Sequence, residues 1–226
     1  MPRTRIKICG LTRVEDVQAA VAAGADALGF VFYPKSPRHV TPERAAELIA
    51  AVPPFVSTVG LFVNASAQEV ADTVRLAPLS SLQFHGDESP AHSAELGAAA
   101  NRPYTQVFRV RPDSAAFDLL EYERQFRAAG TLFTSLLLDT YVDAYGGAGK
   151  VFDWSLVPEE LAPRVVLSGG LSAPNATEAV LRVRPYAVDV SSGVEASKGI
   201  KDATRMRAFI EAVRAADAII EREKNT

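Results

Sequence analysis

The stretch Arg5-Ile6-Lys7-Ile8-Cys9-Gly10-Leu11-Thr12-Arg13-Val14-Glu15 changes its period halfway along. Its first part alternates, with Ile6 and Ile8 on one face and Lys7 and Cys9 on the other, which is the pattern of a strand. After Gly10 the spacing turns helical. Thr12 stands three residues before Glu15, a capping-box arrangement, and Gly24 closes the predicted helix Thr12–Ala23. One strand followed by one helix is the unit from which the rest of the chain is read.

That unit recurs. Further apolar or β-branched runs lie at Ala27–Phe32, Val56–Phe62, Leu79–Phe84, Thr105–Val110, Ser135–Leu138, Val165–Leu167 and Ala187–Val190. With Arg5–Ile8 they make eight, spaced about 26 residues apart, enough for a strand, a helix and two short loops. Thr41-Pro42 reads as an N-cap and a proline in the first turn. Ser66–Leu76, Ser89–Ala100, Ser155–Leu161, Ala173–Val183 and Asp202–Glu223 carry helical spacing or composition. No Pro/Gly/Ser linker divides the 226 residues. The expected architecture is a single-domain (β/α)8 TIM barrel spanning residues 1–226, with an open doubly wound sheet as the alternative.

Composition narrows the function. The net charge is −3, so no basic excess supports nucleic-acid binding. No apolar run approaches the roughly 20 residues of a membrane span, and the N-terminus lacks the apolar segment of a signal peptide. A cytoplasmic protein with no membrane partner is expected. One cysteine and three histidines leave little for a disulfide framework or a metal site.

In a barrel of this kind, chemistry sits at the carboxyl ends of the strands. Those ends carry Cys9, Tyr33, Asn64, His85, Arg109, Asp139, Ser168 and Asp189. Parity turns Lys7, Cys9, Leu137, Asp139 and Asp189 toward the barrel axis, with the neighbouring aliphatics facing the helices. An inward lysine requires a counter-ion, and strands 1 and 8 are neighbours in a closed barrel, so Lys7 is expected to pair with Asp189. Cys9 taken alone is most simply a small buried hydrophobe. At a strand end it becomes a candidate base, provided nearby cations or dipoles lower its pKa. Asp139, after Leu136-Leu137-Leu138, is placed for acid–base work. Ser168-Gly169-Gly170-Leu171 after strand 7 and Ser191-Ser192-Gly193-Val194 after strand 8 suit a phosphate. Arg38, between two prolines and His39, is either a solvated loop arginine or a fork for a carboxylate. The segment Thr140–Phe152 contains Gly146-Gly147-Ala148-Gly149, a loop long and glycine-rich enough to be functional and mobile.

Read together, these segments resemble the phosphoribosylanthranilate isomerase family. The resemblance rests on Lys7-Ile8-Cys9-Gly10-Leu11-Thr12, Gly29-Phe30-Val31-Phe32 with Ser36-Pro37-Arg38, Gln83-Phe84-His85-Gly86-Asp87, and Leu137-Leu138-Asp139-Thr140. It continues through 146–154, Ser168-Gly169-Gly170-Leu171, 188–195 and 198–202, essentially the whole chain. It implies a cofactor-free Amadori rearrangement, with Asp139 as general acid and Cys9 as general base. It further implies that Arg38 binds the anthranilate carboxylate. Gly169, Gly170, Ser192 and Gly193 would hold the phosphate. His85, Asp189, Gly147 and Gly149 fall in its substrate-binding motifs, His85 in a supporting role. Three positions depart from the family pattern: Phe84 for a usual Leu, Ala148 for a usual Thr or Ser, and a longer 112–134 segment in which Phe117, Leu120, Tyr122 and Phe126 suggest a helix. The rivals are a histidine-pathway isomerase, which would carry Asp where this chain has Cys9, a metal-dependent epimerase, and a non-catalytic anion-binding barrel. Monomer and homodimer both remain open.

Overall fold

The computed structural model describes residues 3–141 and 151–224. The eight parallel strands close into a barrel in sequence order: β1 (Arg5–Cys9), β2 (Ala27–Val31), β3 (Ser57–Phe62), β4 (Ser81–Phe84), β5 (Tyr104–Val110), β6 (Phe133–Thr140), β7 (Val166–Leu167) and β8 (Ala187–Val190). β8 pairs back onto β1 with Lys7 beside Asp189. Closure removes the sheet edges that an open arrangement would leave. The open-sheet alternative is thereby set aside.

Parity sorts the side chains as expected. Ile6, Ile8, Leu28, Phe30, Leu82, Phe84, Leu136, Leu138, Val188 and Val190 belong to the main core between strands and helices. Each fully buried aliphatic or aromatic side chain of this kind contributes roughly 1.5–3 kcal/mol. Cys9, Val31 and Leu61 form a separate small cluster on the inner face. Below it, toward the amino ends of the strands, lies a cavity of about 610 Å³ lined by Ser57, Ser81, Thr105 and Ser135 among others, with Lys7 and Gln83 also on its wall.

The helices are α1 (Val14–Ala23), α2 (Pro42–Ile49), α3 (Ala67–Leu76), α4 (Pro90–Ala100), α5 (Ala116–Ala129), α6 (Ala173–Val183) and α7 (Ala203–Lys224). Thr41 caps α2 by accepting from the Arg44 N–H, and Ser66 with Glu69 forms a complete capping box on α3. The 112–134 segment does hold a helix, α5, which buries Leu119 and Phe126 and leaves Phe117 exposed.

Two local expectations fail. Thr12 does not cap α1; its hydroxyl donates instead to the Gly199 carbonyl at 2.6 Å, and the helix starts after Arg13 without a side-chain cap. The tertiary partner wins over the local one. Ser155–Leu161 is not a helix. One short 3-10 turn, Trp154–Leu156, takes in its first two residues and a second, Ala162–Arg164, follows it. Pro158 lacks an N–H and forces Val157 out of the helical region, to φ −81°, ψ 112°. A small antiparallel hairpin follows β8, β9 (Glu195–Ser197) with β10 (Ile200–Lys201), which the strand count did not anticipate.

Candidate active site

Cys9 ends β1 inside the barrel mouth and is 4 % exposed. Its register neighbour on β2 is Gly29. A Cβ at that position would stand 2.8 Å from the Cys9 sulfur, so the glycine makes room for the thiol. Burial is the largest influence on Cys9 and pushes the thiol up. Lys7 and Lys201 pull it down, while Asp189 adds to the rise. The net shift is upward. The two cations act in the direction a thiol base requires, but the dry lining outweighs them.

Lys7 and Asp189 form the expected pair. The Lys7 Nζ donates to Asp189 Oδ1 at 2.9 Å, with both side chains under 10 % exposed. Burial opposes the ammonium, but Asp189 and Cys9 outweigh it and hold Lys7 charged. The Lys7 Nζ also reaches across the lumen to β4, donating to Gln83 Oε1 at 2.9 Å. The Gln83 Nε2 in turn lies 3.3 Å from His85 Nδ1.

Asp139 sits three strands around the ring from Cys9, on β6, and is 9 % exposed. Its Oδ1 accepts from the Thr140 N–H at 2.9 Å. Its Oδ2 lies 3.2 Å from His85 Nε2, which is buried and not aligned for a hydrogen bond. Gly169, at φ 81°, passes close over Asp139 and Thr140. A Cβ there would fall 2.5 Å from the Thr140 nitrogen and 2.9 Å from Asp139 Oδ1, so a side chain would meet both strain and a clash.

Arg38 does not stand free. Its Nε and Nη2 donate to the two oxygens of Glu195 at 2.7 and 2.8 Å, a bidentate pair with side chains 11 % and 5 % exposed. Nη1 takes no part in it. Glu195 Oε1 also accepts from Lys201 Nζ at 2.9 Å. The Lys201 side chain is fully buried and donates again to the Ser191 carbonyl. Burial raises Glu195, but Arg38 and Lys201 overcome it and hold the carboxylate below its usual range. Burial likewise draws Lys201 downward, against the pull of Glu195.

The two expected phosphate loops adjoin one another. Gly169 and Gly170 both take positive φ, at 81° and 67°. Asn175 on α6 fastens this turn by accepting from Ser172 N–H and donating to the Gly170 carbonyl. Ser192 and Gly193 lie in a 3-10 turn after β8, with Gly193 packed directly against the Leu171 carbonyl. Gly169, Gly170, Ser192 and Gly193 are all half-buried, so their backbone remains within reach of a ligand at the mouth. Ser168 ties the two strands below, donating to the Asp189 carbonyl.

Cys9, His85, Asp139 and Asp189 thus gather around the inner wall at the mouth, with Arg38 and the two glycine loops on the rim beside β1, β7 and β8. Gly147 and Gly149, with the rest of residues 142–150, lie outside the described residues. Asp189 serves Lys7, as the expected pair required. Gln83, Glu195 and Lys201 were seen only as letters within motifs. The parity rule that found Lys7 would have found Gln83, two residues before His85 on the same face.

The comparisons with known proteins agree with this geometry. A family profile described as N-(5'-phosphoribosyl)anthranilate isomerase matches residues 6–212. A protein of that name from Herminiimonas arsenicoxydans is 65% identical over 219 residues, covering 97% of this chain and 96% of its own. A solved phosphoribosyl anthranilate isomerase in complex with reduced 1-(o-carboxyphenylamino)-1-deoxyribulose 5-phosphate superposes with a TM-score of 0.77 at 36% identity, covering 94% of this chain and 99% of that one. A structure of monomers generated from the dimeric enzyme of Thermotoga maritima has the same TM-score, identity and coverage.

Proposed function

The chain belongs to the N-(5'-phosphoribosyl)anthranilate isomerase family, and on that premise we propose that Cys9 is the base and Asp139 the acid of its Amadori rearrangement. The activity is that of an isomerase in tryptophan biosynthesis, converting N-(5'-phosphoribosyl)anthranilate to 1-(2-carboxyphenylamino)-1-deoxyribulose 5-phosphate. The observation that carries the residue assignment is the placement of Cys9 and Asp139. Both are buried, inward-facing and at the same end of one barrel, three strands apart.

The phosphate is held by backbone N–H groups of the Gly169-Gly170 and Ser192-Gly193 turns, so an acidic protein needs no positive field to bind it. The anthranilate carboxylate meets Arg38 through Nη1, while Glu195 keeps the guanidinium from swinging. Asp139 donates its proton to the ribose ring oxygen. The C1–O bond breaks, and the amine nitrogen supplies the electrons that form the Schiff base. Cys9, as thiolate, takes the C2 proton to give the enolamine, which ketonises. The working state therefore pairs a Cys9 thiolate with an Asp139 carboxylic acid. It has the same number of protons as thiol plus carboxylate, so one proton is redistributed rather than taken up. His85 is a supporting group beside the acid. Asp189 keeps Lys7 in place below the base.

We take one 226-residue barrel domain as the catalytic unit, whether it works alone or in a dimer, and place it in the cytoplasm. The test is the loss of anthranilate fluorescence with phosphoribosylanthranilate formed in situ. Turnover by the folded protein is expected. No turnover would return the choice to the histidine-pathway and non-catalytic readings.

A further inference from the structure

A continuous line of buried polar groups joins the base side of the mouth to the acid side. It runs from Asp189 on β8 to Lys7 on β1, across the lumen to Gln83 on β4, then to His85, and ends at Asp139 on β6. Gln83 is 1 % exposed and Lys7 7 %, so each polar group is held by a protein partner away from bulk solvent.

The donor and acceptor roles along this line follow from one fixed point. An ammonium only donates. Lys7 therefore requires the oxygen of the Gln83 amide, which is 2.9 Å away, and the amide NH2 is turned toward His85. An amide NH2 also only donates. Nδ1 of His85 must then accept, and a neutral imidazole that accepts at Nδ1 carries its proton at Nε2. Nε2 is the buried nitrogen without a hydrogen bond that lies 3.2 Å from Asp139 Oδ2.

We propose that Gln83 is a positioning residue that sets the tautomer of His85, so that an Nε2–H faces the carboxyl group of Asp139. Lys7 sets the sense of the amide, and the amide sets the sense of the ring. When Asp139 gives up its proton, charge develops on a carboxylate that already has the Thr140 N–H on one oxygen. The His85 N–H supplies the second donor, with a small swing of the ring. With the opposite tautomer, a lone pair would face the new carboxylate and oppose its formation.

The other charged groups nearby do not fix the ring. From β5, Arg109 is the register neighbour of Asp139 and is paired with Asp87. Glu88, after β4, accepts from the Gly86 and Asn64 N–H groups. On the base side Lys201 is held by Glu195.

This inference rests on the reading of Asp139 as the acid, but its test does not depend on activity alone. The chain has three histidines, so ¹⁵N-labelled ring signals are assigned with the His39→Gln and His92→Gln variants. The wild-type protein at neutral pH is expected to show His85 protonated at Nε2 and bare at Nδ1. A proton at Nδ1 in the wild type would overturn the proposal without any variant at Gln83. Gln83→Glu replaces the donor with an acceptor, so Nδ1 is expected to gain a proton. Gln83→Met removes both bonds and should abolish the tautomer preference. Each should lower kcat by about tenfold, less than the ~10²–10⁴-fold due to an acid–base group itself, with KM little changed. An unchanged His85 signal in the folded Gln83→Glu protein would also overturn the proposal, as would wild-type kcat alongside a switched tautomer. If Asp139→Asn retains wild-type turnover, the acid assignment fails while the tautomer result stands on its own.

Discussion

The two sides of the barrel mouth solve their problems with different materials. Around Cys9 the structure gathers charge: Lys7 with Asp189, and Arg38 and Lys201 with Glu195, all paired and all but the half-buried Arg38 buried. Around Asp139 it uses hydrogen-bonding groups, a backbone N–H and a histidine ring, under the turn at Gly169. The contrast fits the chemistry we propose for each side. A thiol in a dry pocket resists ionisation, and only fixed charge offsets the cost. A carboxyl group that must give up a proton needs donors already aimed at the anion it becomes. Charges spread over two strands, a loop and a hairpin surround the base, whereas the acid depends on a few directional contacts.

The strongest way to break the comparison is to remove the two reacting groups. Asp139→Asn should lower kcat by about 10²–10⁴-fold, and Cys9→Ser by a similar factor, because each loses a full proton-transfer role. Thermal midpoints should stay near wild type, since Asn and Ser fill almost the same space. The steady-state fluorescence assay and a melting curve measure both. Near-normal turnover in either variant would remove that side from the chemistry and leave a buried thiol or a structural carboxylate in its place.

Lys7→Met tests the claim that the base side is electrostatic. Asp189 would remain buried without its counter-ion, a loss of about 3–5 kcal/mol by the usual cost of breaking such a pair. Because Lys7 opposes the rise of the Cys9 pKa, its removal should send that pKa higher still. The alkaline limb of kcat/KM, where the last proton leaves the pair of reacting groups, should then move to higher pH. Adding Asp189→Asn removes the orphaned charge and should restore much of the stability; because Asp189 itself raises Cys9, it should also bring the alkaline limb part of the way back. A single variant with wild-type stability and an unmoved alkaline limb would show that Lys7 does not act on Cys9.

The difference between the sides also governs what could be read from the chain. Strand alternation placed Lys7, Cys9, Asp139 and Asp189 correctly, because parity is a local rule and closure of the barrel makes β1 and β8 neighbours. The Arg38–Glu195 pair spans 157 positions in sequence. Nothing in the spacing of either residue distinguishes it from a solvated surface charge. Lys201 looks like any lysine before a helix, yet its ammonium is sealed beneath the hairpin. Local rules failed where a distant partner or a proline intervened: Thr12 preferred the Gly199 carbonyl to its own helix, and Pro158 broke the pattern that Ser155–Leu161 suggested.

The smallest effect is a slope rather than a step, and it isolates the anion-binding corner of the base side. Glu195 is held below its ordinary value by Arg38 and Lys201, against the opposing effect of its burial. A depressed carboxyl pKa contributes stability that is present above the unfolded value and lost as the pH falls through the folded one. Hydrogen bonds to charged groups of this kind contribute about 1.5–3 kcal/mol. Wild-type stability should therefore fall by that order on acidification below the ordinary glutamate range. Glu195→Gln starts lower at neutral pH, because Arg38 and Lys201 lose their shared anion, but it lacks this limb. Denaturant midpoints of the two proteins should converge toward acid pH. If the curves stayed parallel, Glu195 would not be the anion that binds this corner, and the proposed presentation of Arg38 to a carboxylate would need another cause. Convergence with a raised KM and an unchanged kcat would separate this corner from the acid side, where loss of Asp139 should appear in kcat.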